Sequence, residues 1–198
     1  MMLVELTPVP AVALPIAELS AHLHLGTGFA DDGSQNSVLE SYLRAAIGAI
    51  ETRIGKALIT REFSWQITNW RDGGSQGLPV APVAVVNRVR LSDAAGTQTI
   101  ADAALYRLRK DFQRPVLVAT GHFLPAIPSG GFAEIDFDAG FGATWGDVPV
   151  DLGQAVLLLA AHYYENRNGG AGQADPMPFG VMALIEAYRV VRVLGGGT

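Results

Sequence analysis

The sequence predicts an α+β protein in which a helical module, built from both chain ends, carries an inserted antiparallel β module. Three observations predict it. Apolar residues keep helical spacing in two long stretches, one before residue 58 and one after residue 149. Between them the period drops to two, in several short runs rich in β-branched and aromatic residues. Turn signals, not helices, separate those runs, which favours an antiparallel sheet or small sandwich over alternating β-α units. Residues 1–58 and 149–198 are therefore assigned to the helical module and 59–148 to the β module.

Taken in order, Pro15 at a first helical turn with Ile16, Leu19, Leu23 and Leu25 reads as a short helix, stopped by Gly26 and the turn Asp31-Asp32-Gly33. A longer helix begins near Ser34 to Ser37. Its apolar positions Val38, Leu39, Tyr42, Leu43, Ala46, Ile47, Ile50 and Ile54 keep i, i+3, i+4 spacing, so one face packs into a core. After Gly55, Phe63, Trp65 and Ile67 alternate with polar residues, and Gly73-Gly74-Ser75 forms a turn. Further strands are expected at Val83 to Leu91, Gln98 to Ile100, Tyr106 to Arg109, Val116 to Ala119 and Ala133 to Phe137, parted by turns such as Asp93-Ala94-Ala95-Gly96. Helical patterning returns at Val150 to Arg167 and Phe179 to Val193, with a Gly- and Pro-rich connection, Asn168 to Pro178, between them.

Composition narrows the function. The apolar fraction of 49% over 198 residues supplies a sizeable core, while charged residues make up only 17%. That shortage of charge implies apolar surface covered by partners or sister subunits. The formal charge is −5, and the 14 basic residues form no continuous run of the kind that tracks nucleic-acid phosphates. Twelve of them are Arg; only Lys56 and Lys110 are Lys. Arg presents a rigid fork suited to interface pairs, although a GC-rich genome produces the same bias. The chain has no cysteine, which excludes disulfides, thiolate catalysis and cysteine metal sites. Pro8, Pro10, Pro15 and Glu5 interrupt the N-terminal apolar residues, so no signal peptide is expected there, and no run is long enough for a membrane span.

Each chemical motif meets a plainer reading. Gly73-Gly74-Ser75-Gln76-Gly77 matches the nucleophile-elbow pattern, but Pro79 and Pro82 follow where that motif needs a helix. His162 and Glu165 lie three apart on one helix, yet the matching pair that a di-metal bundle would supply is absent. His22 and His24 project to different faces of the first helix. Asp136 and Asp138 share one face of a strand, the geometric minimum for paired acid-base work; without a histidine motif nearby they read equally as a solvated face or as partners for arginines, and a solvated or interface face is the expected role. No phosphate-cradling loop is present, and no cofactor or metal is expected.

From Ile135 to Asn168 the order is a short strand, the turn Gly140-Phe141-Gly142, Pro149, and an apolar helix ending Tyr163-Tyr164-Glu165-Asn166-Arg167. This block resembles the head-tail connector (adaptor) family of tailed bacteriophages and gene transfer agents, where a strand, an "aGyG" turn, "vP" and a helix ending "YenR" follow one another. Further segments fit in order: Ala45-Ala46-Ile47 through Ile50-Glu51 to Gly55, Leu78-Pro79-Val80-Ala81-Pro82-Val83, Tyr106-Arg107-Leu108, and Ala183-Leu184-Ile185 through Tyr188-Arg189.

The resemblance implies a structural, non-enzymatic protein: a ring of roughly twelve identical subunits closed by head-to-tail contacts. The ring would sit beneath the portal of a phage or phage-like particle, with a tail-side stopper or terminator below, and extend a channel through which DNA passes without sequence-specific binding. It also implies portal docking by the C-terminal segment, here Tyr188, Arg189, Val191, Arg192 and Leu194. Glu165 and Arg167 have two readings, a helix-end ion pair or cap within one subunit, the one the helix dipole favours, or charge pairing across subunits, with Gly169 as the stop. The rival readings are a metal-dependent hydrolase using His162 and Glu165 with Asp136 and Asp138, and a binding protein of another system.

Overall fold

A computed structural model describes residues 2–25, 35–167 and 177–189 of the chain. The architecture is α+β, with helices contributed by both ends and two antiparallel sheets between them. The chain divides into two units: residues 1–9 with 56–147, and residues 10–55 with 148–198.

The β unit contains β1 (Met2–Glu5), β2 (Arg61–Ile67), β3 (Ser75–Gly77), β4 (Val83–Ser92), β5 (Gln98–Ile100), β6 (Tyr106–Arg109), β7 (Val116–Ala119) and β8 (Phe132–Ala139). Five strands form one sheet in the order β1-β2-β8-β4-β5, and β3-β7-β6 form a second. Alternation sets the faces. Phe63, Trp65 and Ile67 of β2 lie opposite Phe137, Ile135 and Ala133 of β8, and this face is the core, where Phe63 and Phe137 stack with centroids 5.8 Å apart. The opposite face is polar and carries Glu62, Ser64, Glu134, Asp136, Asp138, Arg88 and Arg90.

Two strands depart from the sequence reading. The N-terminal segment, expected within the helical module, is instead an edge strand whose four residues pair with Gln66 to Phe63. The Gly73-Gly74-Ser75 turn leads into β3, which is a strand and not a helix, so no nucleophile elbow exists; Ser75 Oγ donates to Asp72 Oδ2 at 3.0 Å.

In the helical unit, α1 (Ile16–His22), α2 (Asn36–Ile54), α3 (Val150–Glu165) and α4 (Phe179–Ile185) pack through the predicted stripes. Leu39, Leu43, Ala46, Ile47, Ile50 and Ile54 are buried on α2, and Leu152, Ala155, Val156, Leu159 and Ala160 on α3. Gly55 ends α2 in the left-handed conformation, φ 68°, and its N–H donates to the Glu51 carbonyl at 2.8 Å. α1 stops at His22, and His24 lies beyond it at φ 52°, so the two histidines do not share a helix. The last helix is shorter than its spacing predicts: it ends at Ile185, passes through one 3-10 turn, Glu186–Tyr188, and Arg189 is extended. The predicted stop at Gly26 to Gly33, the connection 168–176 and residues 190–193 lie outside the described residues.

Candidate functional site

The glycine-aromatic turn owes its residues to close backbone approach. At Gly140 φ is 145°, and a Cβ there would lie 2.3 Å from the Thr60 nitrogen and 2.4 Å from its Cα. A Cβ on Gly142 would lie 2.2 Å from that of Asp147. Three backbone bonds fasten the turn: Gly140 N–H to Pro82 O at 3.0 Å, Phe141 N–H to Leu58 O at 3.2 Å, and Thr60 N–H to Gly142 O at 2.8 Å. Asp147 closes the loop by accepting from Thr144 N–H at 2.9 Å and Oγ1 at 2.8 Å, which holds its carboxyl below the ordinary range.

Phe141 meets Phe112 edge to face at 5.6 Å, and Phe112 belongs to the β6–β7 connection. Lys56, only 1% exposed, clamps that connection: its Nζ donates to Phe112 O at 2.6 Å and Gln113 Oε1 at 2.8 Å, and lies 4.7 Å from the Phe112 ring centre. Burial pushes the amine's pKa down, and the nearby Asp111 opposes this. Asp111 itself accepts from Arg114 N–H at 2.6 Å and Gln113 N–H at 2.7 Å, which lowers its carboxyl. Nothing in the spacing marks Lys56 as buried; its place just after the Gly55 stop is the only local cue.

On the polar sheet face Asp136 is fully buried, not solvated. Arg88 Nε reaches its Oδ2 at 2.5 Å and Arg90 at 3.2 Å, while Arg90 also pairs with Glu134, which accepts from Ser64 Oγ at 2.8 Å. The pairing with arginines is therefore the reading realised. It was legible as two i, i+2 pairs of opposite charge on strands that turn out to be neighbours. Asp138 accepts from the Asn87 amide at 3.0 Å, its one side-chain bond among the described residues. Among the described residues no three metal-ligating side chains are grouped.

At the end of α3, His162 Nδ1 lies 3.0 Å from the Asn166 amide nitrogen. Arg167 does not pair with Glu165: it donates to the Tyr164 carbonyl at 2.9 Å and stacks on the Tyr164 ring at 4.4 Å, which caps the helix. Tyr164 also meets Tyr42 of α2 edge to face at 6.0 Å. A shallow apolar cleft of about 300 Å³ is lined by Tyr42, Ala45, His162, Tyr163 and Asn166, and burial raises the Tyr163 hydroxyl. Of the C-terminal residues, Arg189 pairs with Glu186 at 2.9 Å; Val191, Arg192 and Leu194 lie outside the described residues.

Among the described residues these are packing and clamping arrangements, the equipment of a structural protein, and none of them is a helix long and apolar enough to cross a membrane. No family model and no curated protein matches the chain. Solved particle structures do. The chain is 60% identical to a chain of the neck of an empty gene transfer agent (GTA) particle computed with C6 symmetry, at TM-score 0.89 with 99% of each chain covered. It is equally identical, at TM-score 0.86 and the same coverage, to a chain of the virion of a native GTA particle. To a chain of the native GTA neck computed with C12 symmetry it is 56% identical, at TM-score 0.84, again with 99% of each covered. The class is thus a structural component of a particle neck. The chain belongs to the head-tail connector family represented in gene transfer agent particles.

Proposed function

We propose that this chain is the adaptor of a phage-like particle: about twelve copies form a ring under the portal and extend the DNA channel toward a tail-side stopper or terminator. One observation carries this reading, the 56–60% identity over 99% of chains from GTA necks, including one computed with C12 symmetry. Ring closure by head-to-tail contacts fits a chain with 17% charged residues. The product is shape, with no reaction catalysed. DNA passes without sequence-specific binding. The C-terminal segment, Tyr188, Arg189, Val191, Arg192 and Leu194, docks on the portal, and Glu165, which makes no ion pair among the described residues, is available to a neighbouring subunit.

Reconstruction of necks from particles carrying a tagged copy of the chain tests the proposal. Twelve tagged copies between portal and tail are expected. Deleting the gene should yield filled heads without tails, whereas normal tailed particles after deletion would refute the role.

A further inference from the structure

The β6–β7 hairpin concentrates positive charge in an acidic chain. Arg107, Arg109, Lys110 and Arg114 stand within eight residues, with Asp111 the only acid, leaving ten basic against eighteen acidic residues elsewhere. Arg107 and Arg109 alternate onto one face of β6, both exposed; among the described residues neither they nor Lys110 make a close ion pair, and Arg109 acts on Asp111 at longer range. The tip is rigid, since Lys56 and the Asp111 turn hold it as described, and it presents Phe112 at 47% exposure. A held tip loses little conformational freedom on docking. Arginines beside a half-exposed aromatic are the composition of a protein-binding hot spot.

The same chain offers a complementary surface. Glu62 and Asp138 stand directly opposite each other across β2 and β8, an unfavourable like-charge pair. The Asn87 amide lies 3.0 Å from Asp138 and 3.4 Å from Glu62, the Arg88 guanidinium acts on Glu62 at longer range, and among the described residues neither carboxylate makes a close ion pair. A guanidinium brought there from outside would bridge both.

We infer that the β6–β7 hairpin, led by Arg107 and Arg109, docks on the Glu62–Asp138 pair of a second copy of this chain. Distinct donor and acceptor patches make the contact head-to-tail, the kind that closes rings. The inference rests on the ring reading above and names the surfaces that would form it.

The test is a charge swap in the full chain within particle-producing cells, with copies per purified neck as readout. Arg109→Glu alone and Asp138→Arg alone should each lower the copies retained by about tenfold or more, because like charges then meet. Their thermal melts should match wild type, and the double variant should restore occupancy. If Asp138→Arg melts early, Glu62→Arg takes its place. Full necks with Arg109→Glu, or no rescue by the double variant, would overturn the inference and leave the ring reading standing. So would a result in which Arg109→Glu weakens binding to a duplex DNA fragment while neck occupancy is unchanged. Wild-type necks lacking the chain would instead defeat the ring reading.

Discussion

Replacing Gly140 by Ala should destabilise the β unit far more than a small added methyl suggests. The new Cβ would sit 2.3 Å from Thr60 N, 2.4 Å from Thr60 Cα and 2.6 Å from Ile59 C, all backbone atoms with no side chain to swing aside. Relief requires the turn to back away from residues 58–60, where the three backbone bonds at 2.8, 3.0 and 3.2 Å are made. At about 1 kcal/mol for each bond lost, that movement costs roughly 3 kcal/mol. Holding alanine at φ 145° adds about 1–2 kcal/mol of backbone strain. The total, about 4–5 kcal/mol, corresponds to a drop of roughly 10 °C or more in the melting transition. Trp65, Trp70 and Trp145 all belong to this unit, so fluorescence melting reads it directly. Gly48 supplies the control: it is exposed on α2 with nothing within 4 Å of a built Cβ, and Gly48→Ala should stabilise its helix by about 1 kcal/mol. A Gly140→Ala melt indistinguishable from wild type would refute the argument that backbone proximity selects this glycine.

Arg90→Ala leaves the buried Asp136 with Arg88 alone; the expected loss is about 2 kcal/mol by denaturant titration, below the figure for a dry pair because Arg90 is partly in water. Lys56 has its folded pKa below the ordinary 10.5, so the unfolded chain binds more protons as pH approaches that value. Its burial cost is therefore fully present at neutral pH and recedes on the alkaline side, and the stability of wild type relative to Lys56→Met should rise as pH is raised toward 10.5. Equal pH dependence of the two proteins, followed by urea unfolding at each pH, would contradict the burial of that amine.

What could be read from the sequence was whatever a residue shares with its near neighbours. The α2 stripe from Leu39 to Ile54 is buried as its spacing predicts, because a helix face repeats every turn. Phe63, Trp65 and Ile67 alternate into the core for the same reason at period two. β1 escaped because all four of its residues are exposed, so no alternation betrays it, and Pro8 and Pro10 nearby read as loop. β3 escaped because Ser-Gln-Gly has no strand propensity and is held by β7 alone. The end of α4 was overrun because Leu184 to Val193 stay apolar at near-helical spacing, a pattern that says nothing about the chain becoming extended at Arg189.

The candidate surfaces depended on contacts between distant residues, which explains why the sequence signalled their motifs and not their reasons. Lys56 meets residues 112 and 113, Arg88 meets Asp136, and Gly140 meets Thr60. The last of these has an architectural consequence. After its edge strand β1, the β unit is re-entered by the chain near residue 56 and left near residue 147, and Thr60 N–H to Gly142 O with Phe141 N–H to Leu58 O ties those two passages side by side. An inserted unit whose ends are already pinned leaves its host no long loop to close, so the entropy of closure is met inside the insertion. The glycines of the turn are there because the two passages touch backbone to backbone, and a family resemblance centred on that turn is at bottom a resemblance in how the insertion is closed.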